Sequence, residues 1–227
     1  MKKTISLFLA LALALSLAAC GGQTAQSPAP TPTAVPESPA AEAHYPVTIT
    51  SYNENGETYT QTFDQCPERV VSISQANTEL LLALGLRDKI IATAHRFSPV
   101  YEPLAEEYNS IPFIAEKGYP AKEVVLDQEP DMIVGWGSLF AEDALGPVSE
   151  WNDRGVGTYL MNNTVSGLGN RTVEFLYDDI ETLGQIFDVE DAAQAMIDDM
   201  KARIAAIGEK ISALPDEQRV RGVTVQY

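Results

Sequence analysis

Four short stretches carry side chains able to grip a small molecule: Gln75-Ala76-Asn77, His95-Arg96-Phe97, Trp136-Gly137-Ser138 and Asn162-Asn163-Thr164. Each follows an apolar run of strand character, and Tyr119 and Phe140 lie in nearby loops. The candidate ligand contacts are Gln75, Asn77, His95, Arg96, Phe97, Tyr119, Trp136, Ser138, Phe140 and Asn163. Aromatic rings offer flat apolar walls, and a guanidinium offers charge for an anionic partner. Trp136 stands between Gly135 and Gly137. That leaves two readings: an indole with room to face a ligand, or one packed beneath its own helix.

Reaction chemistry is harder to assemble. The chain has two histidines, His44 and His95, too few for a Ser–His–acid or Cys–His set to stand out. The turn after "VVSIS" is Gln-Ala-Asn-Thr, with no glycines to cradle a phosphate. "GWGS" is not the Gly-x-Ser-x-Gly of a nucleophile elbow. Capture of bare zinc or manganese needs clustered histidines and carboxylates. No catalytic residue, no metal ligand and no cofactor are therefore expected.

These contacts need strands to deliver them. "TITSY" and "ETYTQTF" flank the turn-rich "NENG" and read as a hairpin. "RVVSIS" (69–74), "DKIIATA" (88–94), "DMIVGW" and "GTYLMN" read as strands. Between them fall helical patterns: "NTELLLALGL" closed by Gly85, "PAKEVVLDQEP", "PVSEWNDRG" closed by Gly155, and 171–187. Such alternation predicts an α/β lobe, a Rossmann-like and mostly parallel sheet with helices on both faces. Ligands of such sheets lie beyond the carboxyl ends of the strands, where the candidate contacts fall. In 190–214, Ile197, Met200, Ile204, Ile207, Ile211 and Leu214 recur at spacings of three and four. That is one apolar stripe on a long helix, and Pro215 stops it.

The amino-terminal end sets the compartment. Lys2 and Lys3 precede an apolar run that ends in small residues, the layout of a secretory signal over 1–19. "LAAC" closes it and resembles a lipobox, which would place a lipid on Cys20. Residues 20–46, rich in Pro, Ala, Ser and Thr, are expected to be a tether outside the cytoplasm. Cleavage before Cys20 removes two lysines and no acid, taking the net charge from −17 to −19. So acidic a chain is a poor nucleic-acid binder. Cys66 alone then remains as a free thiol and is expected to be a small core residue. A lipid-anchored enzyme and a surface adhesin are the competing classes.

"PERVVSISQANTELLLALGLRDKIIATA" followed by "AKEVVLDQEPDMIVGW" resembles the iron-complex and cobalamin binding proteins of ABC importers. The likeness covers roughly 67–187 and, more loosely, the long helix. It implies two α/β lobes bridged by a stiff helix, with ligand in the cleft between them. The first lobe is then 47–188, the bridging helix 189–215, and 216–227 the first strand of a second lobe that is otherwise missing. It also implies an ABC permease with its ATPase as partners, and an iron or cobalt chelate as ligand. A ferric siderophore comes first; haem or a corrinoid comes next. His95 is then either a polar contact or an axial ligand. Glu123 aligns with the acidic residue that such proteins dock into an arginine pocket of the permease, although a helix-start glutamate also suits the helix dipole. Glu79 is read as structural. Two departures stand out: Gln75 replaces a frequent proline, and "FIAEKGYPAKE" lacks the usual glycine and asparagine run.

The anchor makes a direct prediction. Cys20→Ala is expected to release the protein from membranes without changing the melting temperature of its folded domain. Fractionation checks this: unchanged acylation and membrane association in the variant would exclude the lipobox.

Overall fold

Val70–Ile73 is buried at all four positions, which only a strand covered on both faces permits. The computed structural model describes residues 43–215 and Gln218. The signal segment, Cys20, the tether up to residue 42 and, apart from Gln218, the strand expected over 216–227 lie outside these. No helix among the described residues is long and apolar enough to cross a membrane.

Strands β1 (Val47–Tyr52) and β2 (Thr58–Phe63) form the expected antiparallel hairpin. Asn53 closes it, its Oδ1 accepting from the amides of Asn55 and Glu57 at 3.0 and 2.9 Å. The main sheet comprises β3 (Val70–Ile73), β4 (Ile90–Ala94), β5 (Phe113–Ala115), β6 (Met132–Gly135) and β7 (Gly157–Leu160). All its pairings are parallel, in the order β5-β4-β3-β6-β7. Strand β5 and the short helix α2 (Ala105–Asn109), which follows α1 (Gln75–Ala83), were not expected from the sequence. Three residues of strand are too few to establish a period.

The hairpin is fastened to the edge of β7 by side chains. The Gln61 amide donates to the Thr158 carbonyl at 3.1 Å and accepts from the Thr158 amide at 2.9 Å. The Tyr59 and Thr158 hydroxyls pair at 2.8 Å.

Alternation along the strands divides the core in two. Val70, Met132, Val134 and Tyr159 pack with Leu81 of α1 and with Ile180 and Leu183 of the later helix α5 (Val173–Phe187). Val71, Ile73, Ile133 and Leu160 face the other way. They meet Val125 of α3 (Lys122–Leu126) and Val148 and Trp151 of α4 (Val148–Asn152). Gly85, at φ 80°, ends α1 as expected: its amide reaches the Leu82 carbonyl, and Leu86 reaches Leu81.

Helix α5 starts at Thr172, whose hydroxyl accepts from the Phe175 amide at 3.3 Å. It ends at Asp188, a left-handed residue at φ 56°, and α6 (Glu190–Ser212) follows. Gly184 permits this packing, because a Cβ there would lie 2.7 Å from that of Ala193. Only Ala193 and Ile197 of α6 are buried, whereas Ile207 is 57% exposed. Each fully buried aliphatic side chain stabilises by about 1.5–3 kcal/mol, against about 0.3–0.5 for an exposed helical ion pair such as Asp199–Arg203. Packing therefore holds α6 as far as Met200, whereas Ile204, Ile207 and Ile211 beyond it are exposed.

The last residues assigned to the tether are in fact seated on this domain. His44 Nε2 meets the Gln185 carbonyl, and the Tyr45 hydroxyl donates to Ile186, both at 2.8 Å. Cys66 is half-buried at the margin of the first core.

Among the described residues Asp179 is the buried carboxyl, 1% exposed. It accepts from the Tyr159 hydroxyl at 2.9 Å and the Asn162 amide at 3.0 Å. Burial nevertheless outweighs these bonds and raises its pKa from 3.8 to about 7. The native state thus holds a proton that the unfolded chain loses, so stability falls as pH rises from about 4 to about 7 and then levels. Asp179→Asn is expected to flatten this slope and to match or exceed the wild type in melting temperature at pH 8. Parallel melting profiles for the two proteins would show that Asp179 does not contribute to it.

Candidate ligand-binding site

The strand order reverses at β3, whose successors run to β4 and β5 on one side and to β6 and β7 on the other. Chain leaving β3 and chain leaving β6 therefore part company at the carboxyl edge and open a crevice. Two backbone outliers lie at this edge. Ser74 has φ 100° and His95 φ 61°, conformations that cost on the order of 1–3 kcal/mol each. Both are held by the sheet: Ser74 donates its amide to Ala94 and His95 to Ala115, each at 3.0 Å.

His95 is the centre of an aromatic group. Its ring lies 5.8 Å from Phe97, 5.4 Å from Tyr119 and 5.8 Å from Trp136, centroid to centroid. Phe97 and Trp136 are 6.1 Å apart. Phe97 is 56% exposed and Trp136 half-buried, so the group presents an open apolar shelf. The Tyr119 hydroxyl meets exposed Ser138 Oγ at 2.8 Å, which gives the shelf a polar rim. His95 Nδ1 is buried and finds no hydrogen-bond partner among the described residues.

The glycines beside Trp136 serve close approach. A Cβ on Gly135 would stand 2.4 Å from Leu139 Cδ2. One on Gly137 would stand 2.8 Å from the Thr164 carbonyl oxygen, and the Gly137 amide donates to Thr164 Oγ1 at 2.9 Å. Gly137 lets the β6 exit pack against the 162–164 turn, Gly135 lets Leu139 fold against the strand end, and the indole gains its position as a consequence.

Several expected contacts need correction. Phe140 is 0% exposed and belongs to the second core, because the 3-10 turn at Gly137–Phe140 folds it beneath the strand end. Asn77 is buried and donates to the Ile73 carbonyl at 2.9 Å, steadying the β3–α1 junction. Gln75 is buried too, and its amide organises the next loop. Oε1 accepts from the Phe97 and Ser98 amides at 3.2 and 3.0 Å, while Nε2 donates to Glu79 at 2.7 Å and to the Pro99 carbonyl at 3.3 Å. Glu79 also accepts from the Tyr101 amide at 3.2 Å, the structural role read for it. Gln75 thus positions Phe97 and is itself only 2% exposed.

Arg96 is engaged where it stands. Its guanidinium pairs with Glu116 at 3.1 Å and lies 4.8 Å over the Phe113 ring. No signal in the sequence marked Glu116 as its partner. Asn163 is half-buried, and its amide exchanges hydrogen bonds with the Thr172 backbone at 2.9 and 3.0 Å, which closes the loop before α5. Glu123 lies exposed in the first turn of α3, four residues beyond Tyr119. A second concavity lies at the amino ends of β6 and β7, where Asp131 on its wall caps the Glu68 and Arg69 amides at 2.7 and 2.9 Å.

The family model for periplasmic binding proteins matches residues 70–223. An uncharacterized ABC transporter substrate-binding lipoprotein of Bacillus subtilis, YvrC, is 26% identical over 175 residues, covering 77% of this chain and 50% of its own. Among solved structures, a periplasmic binding protein from Veillonella parvula has 30% identity and a TM-score of 0.70, covering 76% of this chain and 55% of its own. The ABC-type Fe3+-hydroxamate transport system from Saccharomonospora viridis follows at 25% identity and a TM-score of 0.62, covering 74% and 58%. The chain thus spans about half the length of the relatives it matches. A doubly wound sheet, a long carboxyl-terminal helix and a match over most of the chain agree on one conclusion: it belongs to the periplasmic binding protein family.

Proposed function

We propose that the protein is the extracytoplasmic substrate-binding component of an ABC importer, held to the membrane by lipid on Cys20, and that it carries a metal chelate on the His95–Phe97–Tyr119–Trp136 shelf. The observation that carries this reading is the shelf: four rings gathered at the switch point of a parallel sheet, where such folds place ligands. The names of the relatives support the importer role.

The charge of the shelf narrows the ligand. Arg96 is already paired with Glu116, so the shelf favours a chelate with an apolar face and little net charge. Three hydroxamate groups, each a monoanion, cancel the charge of ferric iron. A ferric trihydroxamate is therefore the first candidate, in keeping with the Fe3+-hydroxamate system named above. Haem and corrinoids, whose macrocycles present flat apolar faces, come next.

Titration of the protein with a ferric trihydroxamate, hemin and cobalamin, followed by tryptophan fluorescence, tests the site. Trp136→Ala is expected to weaken chelate binding by ~0.5–2 kcal/mol, the scale of one aromatic contact, and to leave the melt nearly unchanged. Trp151 is fully buried and serves as the internal contrast. Strong destabilisation by Trp136→Ala with unchanged affinity would remove the indole from the site.

Glu123 is proposed as the permease contact, suited by its exposure at a helix start. Glu123→Arg is expected to abolish chelate-stimulated ATPase activity of the reconstituted importer while leaving chelate affinity intact. If its only effect is a stability loss of ~0.3–1 kcal/mol, Glu123 serves the helix dipole alone.

A further inference from the structure

His44, Asp188 and Glu190 meet where the chain enters the domain and where α5 turns into α6. His44 Nδ1 lies 3.3 Å from Asp188 Oδ1 and 3.5 Å from Glu190 Oε1. The other ring nitrogen faces the Gln185 carbonyl at 2.8 Å. A carbonyl oxygen only accepts, so Nε2 carries a proton. In the neutral ring, Nδ1 then points its lone pair at two carboxylates. Three acceptors converge on one small gap, an arrangement that calls for a positive charge between them.

The spacing specifies which charge fits. A metal bound at about 2.0–2.2 Å by nitrogen and oxygen ligands at tetrahedral angles requires ligand-to-ligand edges of roughly 3.3–3.6 Å. The two edges from Nδ1 have these lengths. The ring is also oriented as metal-bound imidazoles are, with its second N–H on a backbone carbonyl. Asp188 sits at the left-handed end of α5, the Tyr45 ring packs edge-on to His44 at 4.6 Å, and the Asp188 and Glu190 side chains are 59% and 48% exposed.

We propose that His44, Asp188 and Glu190 form a binding site for a divalent d-block cation, Zn2+ above all, with water completing the coordination. One imidazole and two carboxylates suit zinc, whereas Ca2+ and Mg2+ prefer oxygen alone. The bound ion clamps the segment arriving from the amino terminus onto the α5–α6 turn. It thereby fixes how the domain leaves its amino-terminal attachment. This inference is independent of the chelate site.

The test is a ZnCl2 titration of the untagged full chain carrying Cys20→Ala, so that no amino-terminal thiol competes. Calorimetry and thermal melts are the readouts, with Co2+ absorption reporting coordination geometry. One zinc per chain, a raised melting temperature and the intense visible bands of tetrahedral cobalt are expected. His44→Gln and Asp188→Asn should each weaken binding by at least the ~10–100-fold seen when outer partners of a metal ligand are lost. Asparagine tolerates the left-handed conformation, so the second variant retains the turn. Zinc affinity unchanged in both variants overturns the proposal. So does a melt that His44→Gln lowers equally with and without zinc, since the cluster would then be an imidazolium ion pair.

Discussion

Parallel pairing governs this molecule. Adjacent parallel strands cannot be joined by a tight turn, so each connection must cross the sheet and return to its starting edge. Every strand therefore releases its chain at the same edge, and residues far apart in sequence become neighbours there. His95, Tyr119 and Trp136 meet for that reason. Burial of both sheet faces follows from the same constraint, because the crossing segments have to lie against them. Two cores result, and the strand residues alternate between them.

The carboxyl edge is stiffened by polar groups more than by its rings. Gln75 uses its amide oxygen and nitrogen to tie the 97–99 loop and Glu79 to the start of α1. Gly137 brings the β6 exit against the 162–164 turn, which Asp179 braces from below through the Asn162 amide. Phe97 and Trp136 consequently sit on loops whose backbones are bonded in several directions. Such preorganisation lowers the ordering cost of binding.

Much of the fold was legible because its signals are local. Apolar runs ending at glycines or polar residues marked β3, β4, β6 and β7, and Gly85 and Gly155 marked the turns that close helical segments. Strand β5 was not, since three half-buried residues carry no period. The candidate site was legible only to the level of the sheet edge on which its residues lie. Position after a strand brought His95, Phe97 and Trp136 forward, but the same rule brought forward Asn77, which turns inward, as does Phe140 from its nearby loop. Which way a strand-end side chain turns depends on backbone angles and on neighbours distant in sequence. The pairing of Arg96 with Glu116 and the meeting of His44 with Asp188 are of this kind, the latter across more than a hundred residues.

The edge of β7 carries a consequence for how copies of this chain behave together. A bare parallel edge offers amide and carbonyl groups to any extended segment, including that of a second copy. Here the Gln61 side chain occupies the Thr158 amide and carbonyl at once, doing with one carboxamide what another strand's backbone would do. The hairpin thereby acts as a cover rather than a continuation of the sheet, and it blunts that edge against edge-to-edge assembly.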